Sequence, residues 1–116
     1  MSNTQTLVEK IKATPEQVQF KEVIEAIDQM YDFVPASFTN GEQTNGVNEN
    51  NGSCKVFAFA ILHHLSEQET LHLFGNFYRI DVLENPSNTD HQNIRQFIKN
   101  GWAGVAFNSF PLVAKT

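Results

Sequence analysis

The sequence predicts a mainly α-helical protein: a compact single-domain bundle of five to six helices around a central buried helix at about residues 53–65. Three observations support this fold class. The run Val56–Leu62 is apolar without a break, as in an element that the core surrounds on all sides. Apolar residues over Phe20–Val34 recur at the spacing of one helical face. A length of 116 residues suits one core and one domain, 1–116.

The central element follows a polar turn, Asn50–Ser53, and continues to Leu65. A buried strand is the alternative for so apolar a run. Two alanines, the Gly-Ser turn in front and a length of about three helical turns favour the helix. Phenylalanine should fill the core around it, because the chain has 10 phenylalanines against 1 tryptophan and 2 tyrosines.

The helices before the central one are predicted from start and stop signals. A short amphipathic helix ends near residue 13. The second helix begins with Thr14 as N-cap, Pro15 at the first helical position and Gln17 closing a capping box. Because Pro35 disfavours helix at the residue before it, the second helix should end by about Phe33.

Further start signals follow the central helix. Ser66–Glu69 forms a capping box that opens a helix, and Phe77–Leu83 predicts another short helix after it. Thr89–Gln92 repeats the capping-box pattern and opens a helix that ends before Gly101. The stretch Trp102–Leu112 is predicted to be irregular or extended and to pack across the helices.

Charge and cysteine content limit the partners and the compartment. The formal net charge is -5 and the 8 lysines and arginines are scattered, which argues against nucleic acid and against an anionic membrane surface. The single cysteine allows no internal disulfide, which is typical of the cytoplasm. Residues 1–6 are polar and uncharged, so we expect a disordered start and no secretory signal. The apolar runs are too short to cross a bilayer, and we expect a monomer.

Several strings of residues recur, in order, in one known family. Asn51–Ala60 reads NGSCKVFAFA, and further matches are Tyr31–Phe33, Phe38–Gly41, Thr70-Leu71, Phe74-Gly75, Tyr78-Arg79, Asp81–Leu83, Asp90–Arg95 and Gly101–Val105. On these residues the chain resembles the HopJ type III effector protein family. The resemblance implies a bacterial protein, either cytoplasmic or delivered by type III secretion into a host cell. It implies no particular reaction.

Three positions depart from the family pattern. Asn51 stands where the family usually has an acid, Phe77 where it usually has a tyrosine, and Ser87-Asn88 where a glycine is usual. The change at Asn51 removes a carboxylate that would stand close to Cys54.

The stretch Asn40–Gly52 is rich in asparagine and glycine and is predicted to be a loop. A long irregular connection in a small domain is either functional or simply solvated. Composition favours a solvated surface loop. The resemblance raises the weight of a functional loop, because the family pattern extends into this stretch.

No metal or other cofactor is expected. Asn48, Asn50 and Gly52 do not follow the spacing of a calcium loop. The adjacent His63 and His64 point about 100° apart on a helix, so they cannot easily share one ion. Zinc ligands at i and i+4, or at a short cysteine spacing, do not occur in the sequence.

The candidate catalytic residues are Cys54 and His91. A thiol in the first turn of a helix faces unpaired N–H groups and the positive end of the helix dipole, which favour the thiolate, and Lys55 acts in the same direction. His91 is the candidate base, because Asp90-His91 lies in the family pattern at the start of a helix. An inert, buried Cys54 and a capping or surface His91 are favoured over this pair, because free cysteines are most often buried.

Two function classes stay open. The first is a protein- or ligand-binding domain, which the acidic charge and the lack of a catalytic signature favour. Arg79 and Arg95 could clamp a carboxylate or phosphate in it. The second is a thiol-dependent enzyme with Cys54 as nucleophile and His91 as base. The candidate binding residues of the first class are Asn48, Glu49, Lys55, Arg79, Asp90, Asn93, Arg95 and Trp102.

Overall fold

The computed structural model describes residues 3–115 and shows a mixed α/β fold. Within these residues the α-helices are α1 Asn3–Ala13, α2 Phe20–Met30, α3 Asn51–Leu62, α4 Glu67–His72 and α5 Gln92–Asn100. A π-helix spans Phe77–Val82, and short 3-10 helices span Pro15–Gln17 and Gly101–Gly104. The strands are β1 Tyr31–Phe33, β2 Phe38–Asn40, β3 Gln43–Asn45, β4 Val105–Phe107 and β5 Leu112–Ala114.

The strands that the structure describes form two small antiparallel sheets. In the first, β1 pairs with β5 so that Tyr31 lies opposite Ala114. In the second, β2 lies between β3 and β4, and Phe38 lies opposite both Asn45 and Phe107. The predicted class, a mainly α-helical bundle, is therefore wrong, because the fold is mixed α/β.

Two properties of these strands explain why the sequence predicted a mainly helical bundle without sheets. Each strand is three residues long, which is too short for an alternating pattern to stand out. Most partners are also distant in the chain, since β1 pairs with β5 and β2 with β4. The local hairpin β2–β3 lies largely inside the stretch that was predicted to be a loop, 40–52.

The core is built around α3. Its residues from Val56 to Ala60 are fully buried. Phe57 packs against four other rings, with centroid distances of 5.0 Å to Phe97, 5.5 Å to Phe74 and 6.2 Å to both Phe38 and Trp102. The predicted burial fails at the end of the run, because Ile61 and Leu62 are 38% and 42% exposed. The helix emerges from the core there and ends at Leu62.

The helix starts agree with the sequence signals at one place and differ at two. Ser66 and Glu69 form the predicted capping box of α4, with Glu69 N–H donating to Ser66 Oγ at 3.1 Å. Thr14 caps nothing with its side chain, because Pro15–Gln17 forms only a 3-10 turn. Helix α2 instead starts at Phe20, behind a capping box of Gln19 and Glu22.

Two further helix boundaries differ from the predicted ones: the end of α2 and the start of α5. Helix α2 ends at Met30, earlier than predicted, because the next three residues pair with β5. Helix α5 starts at Gln92 without the predicted capping box, and His91 is its N-cap with φ 53°.

Helix α1 starts at Asn3, so residues 3–6 are helical where the sequence predicted a disordered start. Residues 1 and 2 of that predicted segment lie outside the described residues. Over residues 3–115 no helix combines the length and the apolar character that crossing a bilayer requires.

Candidate functional site

A cleft of about 420 Å³ lies where α3 and α5 both begin. Asn50, Gly52 and Ser53 line it from the start of α3, and the first residues of α5 line it from the other side. The volume falls within the range of about 300–1,000 Å³ that is usual for small-molecule sites. The cleft is therefore large enough for a small ligand.

Both helices enter the cleft through an N-cap residue with left-handed backbone. Asn50 and His91 each have φ 53°, and neither side chain makes a capping hydrogen bond. The first N–H groups of a helix have no acceptor within the helix, and they carry the positive end of its dipole. Hydrogen-bond donors of the main chain therefore lie at this cleft.

A cluster of asparagines lies buried beneath the cleft, formed by Asn40, Asn45 and Asn93. Their exposed fractions are 0%, 0% and 6%. Asn40 Nδ2 donates to the carbonyl oxygen of Asn93 at 2.7 Å, and Asn45 Nδ2 donates to Asn93 Oδ1 at 3.1 Å. Asn93 Nδ2 donates in return to Asn45 Oδ1 at 3.0 Å.

This asparagine cluster joins the β2–β3 hairpin to α5, which is distant in the chain. Asn40 and Asn45 come from β2 and β3, and Asn93 from the first turn of α5. Asn50, before α3, adds a hydrogen bond from its Nδ2 to Asn45 Oδ1 at 2.6 Å. The cluster therefore fixes the starts of both helices relative to the hairpin, and with them the shape of the cleft.

One wall of the cleft is aromatic. Phe20 stacks near-parallel on Phe74 at 6.3 Å and meets Phe77 edge-on at 5.1 Å. Phe77 is 40% exposed. The ring of His91 lies 5.2 Å from the ring of Phe77 and continues this wall. The wall offers flat apolar surface to anything bound in the cleft.

The imidazole of His91 is oriented by an acid. Its Nε2 lies 3.0 Å from Asp81 Oδ2 and 3.9 Å from Asp90 Oδ2. A carboxylate accepts hydrogen bonds, so Nε2 is the donor in this pair, and in the neutral form of the ring Nδ1 is an acceptor. His91 lines the cleft, so that acceptor belongs to the site.

Cys54 does not line the cleft, although it follows Ser53 directly. The thiol is 1% exposed and faces the carbonyl oxygen of Ala36 at 4.0 Å. Burial raises the pKa of Cys54 to about 11, against a smaller opposite effect of the Ala36 hydrogen bond. The structure therefore does not bring Cys54 and His91 together in one cleft.

The two candidate arginines, Arg79 and Arg95, are engaged with other parts of the chain. Arg79 donates to the carbonyl oxygens of Pro15, at 3.1 Å, and of Val18. Arg95 donates to Asp90 Oδ1 at 2.7 Å and, with its remaining N–H groups, to the carbonyl oxygens of Asn85, Pro86 and Asp90. The hydrogen bond from Arg95 lowers the pKa of Asp90. Neither arginine lines the cleft.

The remaining predicted binding residues also have structural roles. Lys55 pairs with Asp28 at 2.8 Å, and Glu49 Oε1 accepts from Gly46 N–H at 2.6 Å within its turn. Asn48 accepts from Asn51 Nδ2 at 3.5 Å. Trp102 packs on Phe57 and Phe97. Of the sequence candidates, only Asn93 and His91 line the cleft.

The lining also contains residues that the sequence did not single out, among them Phe20, Gln43, Ser53 and Gln92. They come from four separate elements or turns, so no local spacing could have indicated them. The asparagine-rich stretch was a partial signal, since it contains Asn50. Among residues 3–115, no group of three or more histidine, cysteine or acidic residues has the arrangement of a metal site.

Comparison with known proteins places this fold in a family. The model of the family described as HopJ type III effector protein matches residues 4–112. The chain belongs to the HopJ type III effector protein family. The resemblance predicted from the sequence is thus confirmed, and the family supports a type III effector while leaving the activity open.

A solved structure of similar sequence gives the same fold. The crystal structure titled as that of unknown function protein VPA0580 is 49% identical to this HopJ protein and superposes with a TM-score of 0.95. The match covers 96% of this chain and 92% of the other chain. No curated protein matches the chain.

Proposed function

We propose that this HopJ protein is a binding domain that takes a small ligand into the cleft between the starts of α3 and α5. The proposal depends on one observation. A single cleft of about 420 Å³ combines an aromatic wall, free main-chain N–H groups at the starts of two helices, and a hydrogen-bonded cluster of asparagines beneath it. Ligand sites in proteins typically combine apolar walls with a few fixed polar groups.

The buried asparagine cluster supports the proposal. Asn40 and Asn45 both hydrogen-bond to Asn93, and these buried hydrogen bonds hold the hairpin rigidly against the start of α5. Among the described residues, Asn40 Oδ1 is the buried side-chain atom of this cluster that has no partner. Because Asn93 also lines the cleft, this rigidity extends to the site itself. A preformed site loses less entropy on binding than a mobile one.

The alternative, a thiol-dependent enzyme with Cys54 and His91, has less support. A nucleophilic cysteine needs a lowered pKa and access to substrate. Burial raises the pKa of Cys54 to about 11, and the residue does not line the cleft. We therefore propose binding in preference to thiol catalysis.

The place of action is part of the same proposal. The family description names type III effectors, which supports delivery into a host cell by type III secretion. A translocation reporter fused to the C-terminus, compared in secretion-competent and secretion-deficient bacteria, tests delivery. Equal reporter signal in both strains would contradict it and would favour a cytoplasmic role.

Ligand binding is tested by amide NMR with a library of small aromatic and heteroaromatic fragments. We expect binders to shift the amide signals of Gly52, Ser53 and Gln92. Ser53→Trp should fill the cleft and abolish these shifts, whereas Ser87→Trp, in an exposed loop, should retain them. Two results would refute the site: no fragment shifts these amide signals, or Ser53→Trp leaves the shifts unchanged, as Ser87→Trp does.

A further inference from the structure

We infer that the ligand is an uncharged, flat, amino-substituted nitrogen heterocycle of the nucleobase type. The inference rests on the proposed function, because it assigns a ligand class to the same cleft. It depends on which hydrogen-bonding groups of the lining are already used within the protein and which are free.

The first observation is the lack of lysine and arginine among the described residues that line the cleft. Among the described residues that line the cleft, His91 is the only one with a titratable side chain. The nearby cations are paired elsewhere: Arg95 with Asp90 and Lys55 with Asp28. A carboxylate or a phosphate would therefore enter without a salt bridge, which disfavours an anionic ligand.

The second observation is an excess of acceptors among the side chains, beside the main-chain donors of the two helix starts. Four side-chain amides line the cleft, and each donates an N–H into the protein. Asn93 Oδ1 already accepts within the asparagine cluster, so the other three amides are the ones that matter here. Gln92 Nε2 donates to the carbonyl oxygen of Thr89 at 2.7 Å, Asn50 Nδ2 to Asn45 Oδ1 at 2.6 Å, and Gln43 Nε2 to Asn45 Oδ1 at 3.4 Å.

The side-chain carbonyl oxygens of Gln43, Asn50 and Gln92 accept no hydrogen bond from the described residues. In the neutral form of its ring His91 adds a fourth acceptor, because Nε2–H is directed to Asp81 and Nδ1 keeps a lone pair. A ligand that satisfies these acceptors must offer several N–H or O–H donors. Exocyclic amines and ring N–H groups do so without carrying charge.

The third observation is the flat apolar wall. Phe20, Phe77 and the ring of His91 line the same cleft as the four acceptors. Bases stack on aromatic side chains, because every base has a flat π-face. An aromatic heterocycle with amino groups on its edge would contact the wall with its face and the acceptors with its edge.

The test compares two probes that differ by one amino group. Adenine and purine share the same ring system, but purine lacks the exocyclic amine. Titration of each into the full chain, followed by the amide signals of Gly52, Ser53 and Gln92, should show adenine binding about tenfold more tightly, as expected when one hydrogen bond is lost. Inorganic phosphate and benzoate should leave these signals unchanged.

A matched pair of variants tests the acceptors directly. Gln92→Met keeps the length of the side chain and removes its carbonyl oxygen, so adenine should bind about tenfold more weakly while purine is unaffected. Gln29→Met, on the exposed face of α2, should change neither titration. Circular dichroism establishes that both variants are folded.

The outcomes separate the two proposals. Purine binding as tightly as adenine, or benzoate or phosphate binding more tightly than adenine, would overturn the ligand class and leave the cleft as a binding site. If neither a probe nor a library fragment shifts the amide signals of the cleft, the ligand class and the binding function are both overturned.

Discussion

Two buried regions of this protein are held together by different interactions. The region around Phe57 consists of aromatic rings whose contacts have little directionality. The cluster of Asn40, Asn45 and Asn93 is as well buried, yet it depends on hydrogen bonds with specific geometry. The aromatic region provides stability through the area that it removes from water. The asparagine cluster provides a defined arrangement of the hairpin and the helix starts around the cleft.

The largest effect on stability is expected from removing the ring at the centre of the aromatic region. Phe57→Ala should lower the free energy of unfolding by about 3–5 kcal/mol, because it removes a fully buried ring and leaves a cavity. Urea denaturation measures the change. Phe110→Ala, at a ring that is 40% exposed, should cost far less and serves as control. Equal losses in the two variants would mean that α3 is not the centre of the core.

A smaller but distinctive effect is expected at the asparagine cluster. Asn93→Ala should lower the free energy of unfolding by about 2 kcal/mol, because it removes the hydrogen bonds that Asn93 Oδ1 accepts from Asn40 and Asn45 and the one that Asn93 Nδ2 donates to Asn45. Asn88→Ala, on the exposed surface, should stay within about 0.5 kcal/mol of the parent protein. If the cluster defines the cleft, Asn93→Ala also weakens probe binding. Unchanged stability would show that the hydrogen bonds are dispensable.

Cys54 directly follows Ser53, which lines the cleft, but its own side chain is buried in the core. Burial raises its pKa from 9.0 to about 11, so the neutral thiol stabilises the fold fully below about pH 9. That contribution, on the order of 2 kcal/mol, is lost as the pH rises toward 11. Stability measured from pH 8 to 11 should therefore fall more steeply for the parent protein than for Cys54→Ala. Iodoacetamide at pH 8 should label the thiol only after unfolding, and rapid labelling of the folded chain would contradict this assignment.

The smallest effect is expected at the far end of α3. His63 Nε2 lies 2.9 Å from the hydroxyl of Tyr31, and burial, with a lesser contribution from His64, lowers the pKa of His63. The neutral ring therefore stabilises the fold above about pH 6.5, and this contribution is lost as the pH falls through the lowered pKa. An NMR titration of the imidazole signals should show His63 protonating at lower pH than a histidine in the unfolded chain. A titration midpoint above that of the unfolded chain would mean that the protonated ring stabilises the fold, which contradicts this assignment.

The sequence predicted those parts of the fold that depend on contiguous residues. The buried stretch from Val56 to Ala60 and the capping box of Ser66 and Glu69 are examples, because each signal lies within a few residues. Helix starts without a side-chain cap, such as that at His91, carry no such signal.

The strands and the site depend on pairings between distant residues, which a single sequence does not display. The asparagine cluster needs the hairpin of β2 and β3 to lie against α5, and nothing in the spacing of Asn40, Asn45 and Asn93 indicates this. At Cys54 the sequence offered two interpretations, a thiolate favoured by the helix dipole and an inert, buried thiol, and it favoured the second. The thiol is 1% exposed, and burial raises its pKa, in agreement with the favoured interpretation.

The pairing of β1 with β5 has a consequence for folding kinetics. Tyr31 and Ala114 lie opposite each other, so roughly eighty residues must be synthesised and brought into place before this small sheet can close. Chains dominated by such long-range contacts fold more slowly than helical bundles of the same size. A ribosome-bound chain that still holds the residues of β5 inside the exit tunnel would have its helices available but would leave the edge of β1 uncovered.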